Sequence, residues 1–115
     1  MAAKFINKVD SQIQREVEDL VTDLRSTLIT KRLKAVKDLG RLKTPLAVEP
    51  LAQIATDRSR EVRCAVVEAL SLINPPDLTH LLLPLSHDKS ADVRLRVAHS
   101  FASCSDDEAI SSLMT

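Results

Sequence analysis

Three histidines and two cysteines are the side chains of this 115-residue sequence best suited to hold a metal or attack a bond. His80 and His87 stand two turns apart on one helix face, so together they could offer two metal ligands. A metal site needs a further His, Cys or carboxylate at matching spacing. No ligand motif supplies one, and both histidines are expected as exposed polar positions. His99 and Cys104 lie five apart, a poor fit to one helix face and so to a thiolate–imidazole nucleophile pair. Gly40 stands alone, so no glycine-rich loop can cradle a phosphate. The expectation is a protein with no catalytic, metal or cofactor-binding residues, and not an enzyme.

Charge is the next candidate for chemistry. The 16 Lys and Arg balance the 16 Asp and Glu, which argues against the whole chain being a nucleic-acid-binding polycation. Phe5 and Phe101 are the only aromatics, too few to stack bases. Yet residues 31–63 carry nine basic and four acidic side chains. Within them Lys34, Lys37 and Arg41 share a helix face. They form either a basic patch for an acidic partner or a nucleic-acid backbone, or a solvated face on which Lys34 pairs with Asp38. The solvated face is the expectation.

The elements that must carry these residues are helical. One glycine and almost no aromatics leave little material for hairpins and strands. Self-similarity then organises the chain. At a shift of 31 residues, segments 31–42, 62–73 and 93–104 align. Arg32, Arg63 and Arg94 fall in register, as do Ala35/Val66/Val97, Leu39/Leu70/Phe101 and Leu42/Ile73/Cys104. Those offsets trace one helix face. The small position Asp38/Ala69/Ser100 would let a neighbouring helix approach closely. The same shift lays 47–57 over 78–88, with Leu51/Leu82 and Ile54/Leu85 facing inward and Pro45/Pro76 and Asp57/Asp88 as punctuation. Thr44, Ser59 and Ser90 are expected helix caps, and Pro84 is expected to kink its helix. Each unit is thus a helical hairpin that buries its apolar stripe only against stacked neighbours. Residues 11–24 form a further amphipathic helix that caps the first unit, behind an arm of 1–10 that is expected to be loosely held, with extension of the cap by Phe5, Ile6 and Val9 as the alternative. Ser105–Glu108 reads as a capping box that opens a last, shortened helix.

Val62-Arg63, Ala65, Ala69-Leu70 and Ile73, with Asp57 just before them, resemble a HEAT repeat of the short phycobilisome-lyase type. Ala47-Val-Glu-Pro-Leu51 with Asp57 is similar to that family's second helix. The resemblance covers about residues 28–115 and implies that Asp57, Arg63, Asp88 and Arg94 form a structural ladder. The first unit departs from the pattern, with Lys31, Lys34 and Asp38 at positions where the others carry mostly small or apolar residues. HEAT-like iron-dependent hydroxylases use His-Glu pairs, and this chain has no such dipeptide.

The expected fold is all-α: a right-handed alpha-solenoid of HEAT-like hairpins with an N-terminal capping helix. Residues 1–27 are the arm and cap. Residues 28–115 are the array, in units of about 28–57, 58–88 and a shortened 89–115. The expected function is a non-enzymatic scaffold or adaptor that binds a protein partner. Outward positions of the second helices, Glu49, Gln53, His80, Leu83 and His87, are the candidate contacts. Two other readings stand behind it: a phycobilin lyase-related or phycobilisome-associated protein, and nucleic-acid backbone binding through Lys34, Lys37 and Arg41. The shortened last unit is expected to mean that the chain is a piece of a longer array; the alternative is that its uncapped C-terminal face docks on something, such as a second copy. No stretch of the sequence is apolar enough to span a membrane, no signal segment is visible, and the two cysteines suit a reduced, cytoplasmic setting.

Overall fold

A computed structural model describes the backbone of residues 2–104 and the side chains of 11–103. The expected capping box and last helix of 105–115 lie outside the described residues. Every regular element among the described residues is helical: α1 (Ala2–Leu24), α2 (Ile29–Leu42), α3 (Val48–Gln53), α4 (Arg60–Ile73), α5 (Leu78–Leu82) and α6 (Ala91–Cys104), with 3-10 turns at Pro45–Ala47 and Leu83–His87. The long first helices α2, α4 and α6 stack in order, α2 against α4 and α4 against α6. Short second helices lie between them on one side, and α1 packs on α2.

Helix α1 starts at Ala2, so the arm expected to be loosely held is helical. Neither glycine nor proline interrupts residues 2–24, and nothing in the backbone chemistry stops the helix earlier. Helices α2 and α4 end alike. Lys43 and Asn74, 31 residues apart, both adopt the left-handed conformation (φ 49° and 52°) and donate their amides back to Gly40 and Leu70. Thr44 and Pro45, or Pro75 and Pro76, then turn the chain. Thr44 accepts the Leu46 amide and Ser59 accepts the Val62 amide.

The second helices depart from the expected continuous spans of 47–57 and 78–88. Helix α3 stops at Gln53, and tighter i→i−3 bonds from Ile54, Ala55 and Asp57 finish the segment. Helix α5 stops at Leu82 and gives way to a 3-10 turn around Pro84. Proline has no amide to donate to the His80 carbonyl, so the kink takes this form.

The core is a continuous aliphatic layer. Val36, Leu39, Leu51, Val62, Val66, Val67, Leu70, Leu82 and Val93 are fully buried, and Val17 and Leu24 add the inner face of α1. Closest approach occurs at small residues. A Cβ placed on Gly40 would lie 2.9 Å from the Cα of Ala69 across the α2–α4 contact. One unit on, the Ser71 and Ser100 hydroxyls hydrogen-bond across α4 and α6. Shifted by 31 residues, Gly40 becomes Ser71 and Ala69 becomes Ser100, so the two contacts are the same contact repeated.

A chain of charge-assisted bonds runs along the loops between units. Arg32 Nε and Nη2 donate to the carboxylate of Asp57 at 3.0 and 3.4 Å. Arg63 Nε and Nη2 donate to Asp88 at 2.8 and 3.2 Å. Each arginine also donates Nη1 to a carbonyl in the loop that precedes its own helix: Arg32 to Ser26 at 2.9 Å, Arg63 to Asp57 at 2.8 Å and Arg94 to Asp88 at 2.6 Å. Each aspartate in turn accepts the amide of the serine two residues on, Ser59 or Ser90, at 2.8 Å. Arg32 and Arg63 are buried, at 8% and 5% exposure, whereas Arg94 is exposed. Arg32, aligned by register but not singled out as a ladder residue by the family resemblance, therefore belongs to this chain of bonds.

Burial disfavours the charged form of Asp88, but the Ser90 amide and the Arg63 guanidinium outweigh it and hold the carboxyl below its ordinary value of 3.8. A depressed native pKa stabilises the fold above the unfolded value, and that contribution disappears as pH falls through the native value. Thermal melts of the wild type are thus expected to decline below about pH 4. Asp88→Asn removes this part of the decline while lowering stability at pH 7. Arg63→Ala leaves a buried carboxylate without its cation and should cost about 3 kcal/mol in urea unfolding, against under about 0.5 kcal/mol for Arg94→Ala. Gly40→Ala gains about 1 kcal/mol of helix propensity but drives a methyl into the Ala69 backbone, which cannot rotate away. A net loss of about 1 kcal/mol is expected, read as a lower urea midpoint.

Candidate functional site

The second helices present their inner sides to the core through Leu51, Leu78, Leu82 and Leu85. Helical geometry then turns the intervening positions outward. Glu49 and Gln53 on α3, and His80, Leu83 and His87 along α5 and its 3-10 extension, are all exposed. Leu83 is the unusual member. It is 51% exposed with polar neighbours on its own segment, and the 3-10 turn that begins there carries it away from the core-facing Leu82 and Leu85. His80 and Leu83 are one turn apart and form one ridge.

A groove of about 190 Å³ runs between α1 and α3, lined by Val21, Leu24, Arg25, Pro50, Gln53 and Ile54. Its floor is aliphatic and its rim carries one guanidinium and one amide. Of the expected contact residues, the structure brings Gln53 into this groove. Glu49, His80, Leu83 and His87 line neither this groove nor the cleft between α1 and α2.

A wider cleft of about 410 Å³ opens between α1 and α2, lined by Glu16, Asp19, Leu20, Asp38, Arg41 and Leu42. No catalytic or ligand-type residue pattern in the sequence points to it. The available signal was Asp38, a charge at the register position where the other units carry Ala69 and Ser100 and pack a neighbouring helix.

The same aspartate corrects the expectation for the basic face. Asp38 pairs with Arg41 at 3.5 Å rather than with Lys34. An acid placed N-terminal to its base follows the helix dipole, whereas Lys34 before Asp38 opposes it. Lys34, Lys37 and Arg41 are all exposed, but one of the three charges is already matched. Further surface ion pairs, Arg60–Asp92 at 3.6 Å and Arg96–Glu68 at 3.2 Å, join α4 to α6.

Among the described residues no cluster of three His, Cys, Asp or Glu side chains could hold a metal. Cys64 is a free, half-buried thiol. Burial raises its pKa, against the pull of the Arg96 guanidinium, so the thiolate needed for nucleophilic attack is disfavoured. Glu61 titrates below its ordinary value, because the Ser59 hydroxyl and its own backbone amide donate to the carboxylate. That contact serves the first turn of α4.

No helix among the described residues is long and apolar enough to cross a membrane. A search of curated protein sequences finds no match to this chain. The sequence model of the family described as HEAT repeats matches residues 17–102. That stretch takes in the C-terminal third of α1, all three arginine positions and both second helices. This chain belongs to the HEAT-repeat family.

Proposed function

We propose that this protein is a non-enzymatic scaffold or adaptor that binds another protein through the outward side of its second helices. HEAT repeats commonly serve as protein-interaction scaffolds, and the observation that carries the reading to a surface is Leu83. A large aliphatic side chain held half in water on a rigid element, beside two histidines, offers apolar area that a partner can cover at little ordering cost. The aliphatic groove at Pro50, Gln53 and Ile54 extends that surface toward α1. The free thiol at Cys64 suits a reducing, cytoplasmic compartment. In this reading the stacked hairpins form a right-handed superhelix and α1 is its N-terminal cap.

The test is affinity capture with the full-length protein from its source organism, comparing wild type with Leu83→Asp. Leu83 is half exposed and outside the set of buried core residues, so the variant should melt within about 3 °C of wild type. A partner enriched by wild type should be lost at least about tenfold by the variant. Capture unchanged by Leu83→Asp, and by Gln53→Ala in the groove, would remove this surface from the proposal.

A further inference from the structure

Helix α1 carries its charges against its own dipole. Its first turn holds Lys4 and no acid, and its last turn holds Asp23 and no base. The N-terminus is the positive end of a helix, so a lone helix favours the reverse order. The acidic second half lines the cleft of about 410 Å³ against α2. There Glu16 and Asp19 are exposed above half-buried Leu20 and Leu42. Asp38 adds a third carboxylate from α2, and Arg41 pairs with that one. Among the described residues no ion pair reaches Glu16 or Asp19. Arg15 lies one turn before Asp19, the order in which a helical pair is weaker. The cleft is thus an aliphatic floor under an acidic rim that lacks its cations.

The same chain does not bring cations back to this rim. Helices α1, of 23 residues, and α2, of 14, are joined by the short loop of 25–28 and run antiparallel. About nine residues of α1 therefore lead away past the end of α2, and position 8 stands about 12 Å along one continuous helix from position 16. Residues 105–115 contain Asp106, Asp107 and Glu108 and no base, so they would add like charge.

We infer that the cleft is a dimerisation site that takes the leading turns of α1 from a second copy of this chain. The sequence Lys4-Phe-Ile-Asn-Lys8-Val9 is cationic and apolar, the complement of an acidic rim over an aliphatic floor. The helical period continues the flank of Glu16 and Leu20 through positions 9 and 5. An antiparallel pair of α1 helices with its twofold axis beside Gln12 sets position 8 opposite 16, and position 5 opposite 19 and 20. Lys8 of each copy then meets Glu16 of the other, the reciprocal contact that a twofold interface requires. The lysines of each copy also come to lie beside the negative end of the other helix, which offsets the charge order of a lone α1. This surface is separate from Leu83, so Leu83→Asp leaves the dimer intact and the two proposals fail independently.

Sedimentation equilibrium of the full chain is the test. A monomer–dimer equilibrium is expected, weakened by added salt because its ion pairs lie at the surface. Lys8→Glu and Glu16→Lys should each weaken dimerisation at least about tenfold, since each sets like charges opposite one another twice. Mixing the two variants should restore the dimer, because positions 8 and 16 are then opposite in charge in both directions. A variant that merely failed to fold would not be rescued in this way. A chain that stays monomeric at millimolar concentration overturns the inference and leaves the cleft to a cationic helix of another protein. A dimer that neither reversal weakens, or two variants that do not rescue each other on mixing, overturns it equally.

Discussion

Arg63 and Asp88 carry the constraint on which the rest of the array depends. A guanidinium has five donors and no acceptor, and it cannot shed its charge when buried. Burying Arg63 therefore required a carboxylate fork on one side and a carbonyl on the other, and the fold supplies both. Asp88 meets the arginine of its own unit with its carboxylate, the Ser90 amide with the same group, and the arginine of the next unit with its carbonyl. One residue thus ties the end of a second helix to the first helices on both sides. Repeating the arrangement at Asp57 sets a common spacing for successive layers.

The aliphatic core supplies most of the cohesion, but it is non-directional and would tolerate sliding. Register comes from the points of closest approach. Gly40 admits the backbone of Ala69, and Ser71 meets Ser100, because no larger side chain fits between the first helices there. With the first helices locked at these points and the loops locked by arginine and aspartate, the short second helices have little freedom. Their outward residues are displayed on a stiff frame.

The two outer edges of the described helices differ in kind. The side of α2 that would meet a preceding first helix carries Lys31, Lys34 and Asp38, and the last of these faces a cleft shared with α1. The outer side of α6 keeps an arginine, a leucine and an alanine in the pattern of an internal layer. Charge on one edge and an internal-type stripe on the other give the array a direction.

The helical period, the repeat of 31 and the inward positions were legible in the sequence, because local hydrophobic spacing dictates which side of a helix is buried. The pairing of arginine with aspartate came only through family resemblance, since the partners are 25 residues apart and no local rule joins them. Tertiary structure alone decided the rest. It opened a cleft against α1, whereas the 3-10 turn at Pro84 and the Asp38–Arg41 pair follow from local rules within one segment. It also left Arg94 and Leu95 exposed although their counterparts are covered. Those outcomes depend on which layer lies next in space, and a spacing read along one helix carries no information about its neighbour.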